Sequence, residues 1–210
     1  MQSSPKPLIY LASASPRRSS LLTQIGVTHL VRPVDIDETA LAGESPTNYV
    51  MRLAQSKAKA LWERLSDAER LPVLGSDTTV ALGDHILGKP ADLASAREML
   101  GRLSGQTHHV HTGVALHSAQ GVAARLSTSE VTFRRVSEAE IDAYWASGEP
   151  ADKAGGYAVQ GKAAAFIERI AGSYSGIVGL PLFETSELLR ALGWEPFAVG
   201  GAPVVRGVAS

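Results

Sequence analysis

The sequence predicts an α/β fold in which helices pack on a mixed sheet. Three observations carry that expectation. Short apolar runs such as PLIYLAS (7–13) and LPVLGSDTTVAL (71–82) alternate with amphipathic stretches that open on Ser-Pro or Asp and close on Gly. Two long alternating segments flank a Gln120-Gly121 turn as in a hairpin, so the order is neither strictly βαβ nor all hairpin. The chain has 210 residues, 44% of them apolar, enough for one core or for two small lobes around a cleft.

Taken in order, PLIYLAS reads as a buried strand. Ser15 then serves as N-cap with Pro16 in the first helical position, and Leu21, Leu22 and Ile25 continue a helix to Gly26. THLVRPV (28–34) is a second strand, followed by the acidic loop DIDETALAGE. Ser45 and Pro46 open a long helix running to Leu65, with Tyr49, Leu53, Leu61 and Leu65 near one face. The run 71–82 is a central strand, expected to break at Gly75 and Asp77 where polar groups interrupt it. GDHILGKP (83–90) makes a hairpin-like turn. Asp92 starts a helix that stops at Gly105, the hairpin strands follow, and Ser137 caps EAEIDAYWASG. A Gly-rich loop (148–161) leads into a strand at 163–172, GSYSG (172–176) is read as loop, and LPLFETSELLRALG (180–193) forms a last helix. The tail after Trp194 shows no period, and no internal repeat is found.

Composition excludes several classes. The formal net charge is −1 with both signs interspersed, so no field spans the chain that would hold a long nucleic acid. There is no cysteine, hence no disulfide framework and no thiolate chemistry. The first fifteen residues have too short an apolar run for a signal peptide or a membrane span. A soluble, cytoplasmic protein without stable nucleic-acid or membrane binding is the expectation.

Two constellations suggest chemistry. A helix N-terminus with unpaired N–H groups attracts anions, and Arg17 and Arg18 in its first turn add charge there. Two readings stand: solvated arginines behind an ordinary Ser-Pro cap, or an anion site. No GxxxxGK[ST] and no GxGxxG is present. The second constellation is Asp77, a carboxylate in an otherwise apolar strand, where acids are usually paired, metal-bound or catalytic. Asp35, Asp37 and Glu38 supply hard oxygen ligands of the kind Mg²⁺ and Mn²⁺ prefer, although acidic loops are most often only solvated. Lys57, on a long helix, reads locally as a surface residue, while Lys89, held between Gly88 and Pro90, is the more suspicious lysine. His109 and His111 share a strand face, but two ligands do not make a zinc site.

The stretches LASASPRRSSLL, YVMRLAQSKAKA, VLGSDTTVALGDHILGKP, LSGQTHHVHTGVAL, YWASGEPADKAGGYAVQG and GSYSGIVGLPLFET together resemble the Maf family of nucleoside triphosphate pyrophosphatases, in family order from residue 11 to about 185. The resemblance implies a single catalytic domain with the elongated mixed α/β fold shared by Maf and ITPase-like proteins, usually a homodimer. It also implies a divalent-metal-dependent cleavage of a nucleoside triphosphate to monophosphate and pyrophosphate. By position, Asp77 matches the proton acceptor and, with Glu38, the metal site. Ser13, Arg18, Lys57 and Lys89 match phosphate-binding positions, and Arg17, Thr78 and Gln160 match those tied to base preference. The RR, DT and VQG forms are similar to the branch acting on dTTP and UTP. Because the family has been linked to septum formation and division arrest, a nucleotide-binding regulator is the rival expectation, and a nucleic-acid module using PRR and FRR is a weaker one.

Overall fold

The computed structural model describes residues 7–195, so the first six residues and most of the tail that shows no period lie outside the described part. Strand β1 (Ile9–Leu11) leads into α1 (Pro16–Gln24), β2 (His29–Val31) and α2 (Pro46–Trp62). Next come β3 (Val73–Leu82), β4 (His85–Leu87), α3 (Leu93–Leu103), β5 (Thr107–Ser118) and β6 (Gly121–Phe133). The chain continues through α4 (Glu138–Ala146), β7 (Ile167–Ala171), α5 (Tyr174–Val178) and α6 (Leu182–Arg190). All strands join one mixed sheet in the order β2-β1-β3-β5-β6-β7, with β4 on β3. Pairing is parallel among β2, β1 and β3 and antiparallel beyond.

Three of the four predicted N-caps act through their side chains, while Ser15 stands at the N-cap of α1 without a side-chain bond. Ser45 accepts from the Asn48 amide, and Asp92 and Ser137 both form reciprocal capping boxes. Gly26 and Gly105 end their helices in the left-handed region, at φ 76° and 68°. Four expectations need correction. Strand β3 runs unbroken through Gly75 and Asp77. Residues Lys162–Phe166 form a 3₁₀ turn, and the strand starts only at Ile167. The GSYSG stretch contains a helix, α5, with Ser173 as its N-cap accepting from Gly176. Helix α2 ends at Trp62, and its buried stripe is Val50, Leu53, Ala54, Lys57, Ala58 and Leu61, one position away from Tyr49.

Gly75 is in β3 because the helix needs its space. A Cβ there would lie 2.3 Å from the Ala54 carbonyl, and one on Gly113 of β5 would lie 2.5 Å from the Val50 carbonyl. Helix α2 therefore rests with its backbone against two side-chain-free notches in neighbouring strands. This close seat draws Lys57 down onto the sheet.

Three apolar clusters surround the sheet. One joins β1 to α1 and α6, a second lies beneath α2, and a third packs α3, α4 and the Gly-rich segment against the far strands. Between the last β1–β3 pair at Leu74 and the first β3–β4 pair at Val80, no strand pairs with the outer edge of β3 among the described residues. The cleft opens beside this bare edge.

Candidate active site

The cleft encloses about 570 Å³ and is lined by the nine positions matched to the family site, Ser13, Arg17, Arg18, Glu38, Lys57, Asp77, Thr78, Lys89 and Gln160, whereas Asp35 and Asp37 of the acidic loop are not part of its lining. At its base the Lys57 ammonium donates to Asp77 Oδ1 at 2.7 Å and lies 2.6 Å from Glu38 Oε1. Lys57 is only 8% exposed, so the purely local reading of it as a surface residue is wrong. A buried ammonium needs a partner, and this one has two.

Burial raises the Asp77 carboxyl above its ordinary value, outweighing the lowering pull of Lys57 and Arg18. At Glu38 burial also works upward, but the bond and charge of Lys57, with Lys89 and Arg18 behind it, hold that carboxyl below its ordinary value. Two neighbouring acids on one ammonium are thus pushed in opposite directions.

Arg18 is fixed on three sides. Its Nε donates to the Gly179 carbonyl at 2.7 Å, Nη1 to Ser13 Oγ at 2.9 Å and Nη2 to Thr78 Oγ1 at 3.3 Å. Thr112 lies 3.0 Å from Thr78 and also donates to the Gly176 carbonyl at 2.8 Å. Its single hydroxyl proton goes to that carbonyl, so the Thr78 proton points at Thr112 and its lone pair at Arg18. The Ser15 side chain makes no capping bond, and no acid stands in the first turn of α1. The positive helix end therefore faces the cleft together with Arg17 and Arg18.

Several supporting residues escaped the sequence reading. The Tyr49 hydroxyl donates to the Glu38 carbonyl at 3.0 Å, and Arg52 grips Glu44 at 2.6 and 2.7 Å while donating to the Thr39 carbonyl. These contacts tie the acidic loop to α2 and so place Glu38. Lys153 and Asp152, which pair with each other, also line the cleft. Nothing local in the sequence marks the loop contacts, because the partners come from different elements. His109 and His111 lie away from the cleft lining, stacked 5.7 Å apart, with His111 bonded to Thr128.

Neither Asp77 Oδ2 nor Glu38 Oε2 has a hydrogen bond among the described residues, and both side chains line the cleft. The two carboxylates meet on the Lys57 ammonium and are hard oxygen donors of the kind Mg²⁺ or Mn²⁺ takes one or two at a time, with phosphate and water completing the shell. No cluster of three or more acidic or histidine side chains that could hold a metal stands among the described residues.

Residues 8–192 match the Maf-like protein family. A protein named dTTP/UTP pyrophosphatase from Nitrosomonas europaea is 56% identical over 199 residues, covering 90% of this chain and 96% of that protein. Proteins of the same name from Alkalilimnicola ehrlichii and Cupriavidus metallidurans are each 53% identical, over 90% and 89% of this chain and 95% and 97% of their own lengths. A solved nucleoside-triphosphatase / dITP/XTP pyrophosphatase from Mycobacterium abscessus aligns over 61% of this chain and 75% of that one, at TM-score 0.41 and 16% identity. The family match spans nearly all the described residues, and the chain belongs to the Maf-like protein family.

Proposed function

We propose that this chain is a nucleoside triphosphate pyrophosphatase that hydrolyses dTTP and UTP to the monophosphate and pyrophosphate. The observation that carries the reading is Lys57 bridging Asp77 and Glu38 at the base of a cleft that also presents Arg18 and Lys89. The names of the similar proteins support it. A regulator that only binds nucleotide needs the cations but no base among them, whereas here Asp77 stands among the cations with only one carboxylate oxygen engaged by Lys57.

A triphosphate repels hydroxide, so hydrolysis needs positive charge on the phosphates and a base beside the attacking water. In this reading Arg18, Lys57, Lys89 and the N-terminus of α1 hold the phosphates, with Ser13 and Thr78 keeping the Arg18 guanidinium in plane. Asp77 takes the proton of the attacking water at its free oxygen, and Lys57 orients that carboxylate through the other. Asp77 and Glu38 would hold a divalent cation, which when bound adds charge neutralisation on the triphosphate. Gln160 reads the base: its amide matches the N3 donor and O4 acceptor of uracil or thymine, and Arg17, which only donates, disfavours the exocyclic amine of cytosine. The same reading takes the protein as a cytoplasmic homodimer acting on free nucleotides. Among the described residues no helix is long and apolar enough to cross a membrane.

A panel of dTTP, UTP, CTP and purine triphosphates with Mg²⁺ or Mn²⁺, scored for monophosphate and pyrophosphate, tests it. The expected result is kcat/KM for dTTP and UTP at least about tenfold above the others. Release of orthophosphate without pyrophosphate, or turnover of none of them, would overturn it.

A further inference from the structure

Gln160 has no hydrogen bond from its own side chain among the described residues, although it lines the cleft. Its position depends on its backbone. Residues Ala158 to Gly161 form a tight turn closed by the Gly161 amide donating to the Ala158 carbonyl at 3.0 Å, with Gln160 at the tip. The turn is held on both sides. Upstream, the Ala158 amide donates to the Tyr144 hydroxyl at 3.2 Å. Downstream, the Lys162 amide donates to Glu149 Oε2 at 3.0 Å, and the Ala163 amide points at Oε1 from 3.5 Å. The two anchors are joined, because the Tyr144 hydroxyl donates to Glu149 Oε1 at 2.8 Å.

The carboxylate is pressed so close to the turn that a Cβ on Gly161 would lie 2.3 Å from Oε1. A side chain at 161 would push the Glu149 carboxylate off its donors. The clamp is itself rooted in the core: Tyr144 is a buried residue of α4, its ring edge-on to Phe166 at 5.3 Å. An ionised carboxylate only accepts and has room for several donors, so Glu149 is suited to gather a hydroxyl and two amides. Neither Glu149 nor Tyr144 lines the cleft.

We propose that Glu149 and Tyr144 are positioning residues that fix the Gln160 turn against the base and so set which nucleotide is preferred. The inference rests on the base-reading role given to Gln160 above. Glu149→Gln leaves one acceptor oxygen for three donors, and Tyr144→Phe removes the hydroxyl while keeping the ring. Each purified variant is compared with the wild type on UTP and CTP, with circular dichroism and melting confirming the fold. Both should raise KM for UTP about fivefold or more with kcat within about twofold, and shrink the UTP-to-CTP ratio of kcat/KM at least threefold or so. Starting from Gln160→Ala, which should itself lower that ratio, adding Tyr144→Phe should not change the ranking further, since no reading group is left to position.

The inference is overturned if both variants keep the wild-type KM and ranking, or lower kcat alike for every nucleotide with KM unchanged. It is also overturned if Tyr144→Phe still alters the ranking without Gln160. A Gln160→Ala variant with wild-type ranking would remove the base-reading role and this inference with it, whereas altered ranking there and none in the clamp variants removes the clamp alone.

Discussion

The two ends of the cleft are built differently. At the cationic end, Lys57 and Asp77 project from the middle of a 17-residue helix and a 10-residue strand, and Arg18 is held at three of its nitrogens. At the other end, Gln160 rides on the tip of a turn between 3₁₀ segments, held from behind by two side chains outside the cleft. The difference fits the roles proposed above for the two ends. Charges in a low-dielectric site gain most from fixed geometry, since any relaxation lets water or counter-ions blunt them. An amide in the base-reading role proposed for Gln160 would only have to present a donor and an acceptor to a flat edge, and a turn can do that if its backbone is pinned.

The most severe test is Asp77→Asn, which keeps the shape but cannot take a proton. Turnover should fall at least about 10²-fold on every nucleotide, with the substrate ranking unchanged. Steady-state assays at saturating metal check this, and near wild-type turnover would remove Asp77 as the base and merge the two ends into one binding surface.

An acid-stability measurement separates the ends in another way. His108 is fully buried beside Phe133 and Tyr157, with Nε2 2.8 Å from the hydroxyl of Tyr157, a residue lining the cleft. Burial, with His109 nearby, lowers its pKa from 6.5 to about 4. Between these values the unfolded chain takes a proton that the folded chain refuses. The contribution is therefore complete above pH 6.5 and is lost as pH falls toward 4. A shift of this size corresponds to about 3 kcal/mol. Urea melts of wild type and His108→Gln at several pH values check it: the variant should lose much of the acid slope even if it is less stable throughout. An unchanged slope would show that the core around Phe133 and Tyr157 tolerates the charge.

The smallest expected effect is on preference. Gln160→Glu exchanges the amide donor for a second acceptor, and the UTP-to-CTP ratio should narrow by about tenfold, roughly 1.4 kcal/mol, with little change in kcat. Competition assays with mixed nucleotides read that ratio directly, and a constant ratio would deny the turn its separate role.

What was legible in the sequence divides along similar lines. Helix starts at Ser45, Asp92 and Ser137 and the existence of the hairpin were readable because a cap or a turn is decided within four residues, although the hairpin loop is Ala119-Gln120, one residue before the expected Gln120-Gly121. Helix α5 was not, because five residues complete little more than one turn and show no period. The supposed break in β3 misread Gly75, which serves helix packing rather than strand termination. The sequence did contain a sign that Lys57 is buried. It shares the three- and four-residue spacing of Val50, Leu53, Ala54, Ala58 and Leu61, a pattern hidden by alanines and by Tyr49 when that residue is taken as core. The Tyr49, Arg52 and Glu149 contacts join elements that only folding brings together, so no local pattern announces them.

The notches at Gly75 and Gly113 have one more consequence. Most helices sit on sheets through side chains, so their placement drifts as those side chains mutate. Here the contact at Val50 and Ala54 is made by the main chain, whose dimensions no substitution alters. Moving α2 by a single residue would carry Lys57 about 1.5 Å along the axis and about a quarter turn around it, away from Asp77. The spacing between ammonium and carboxylate is thus referenced to the backbone itself, and it should survive extensive exchange of the surrounding apolar residues.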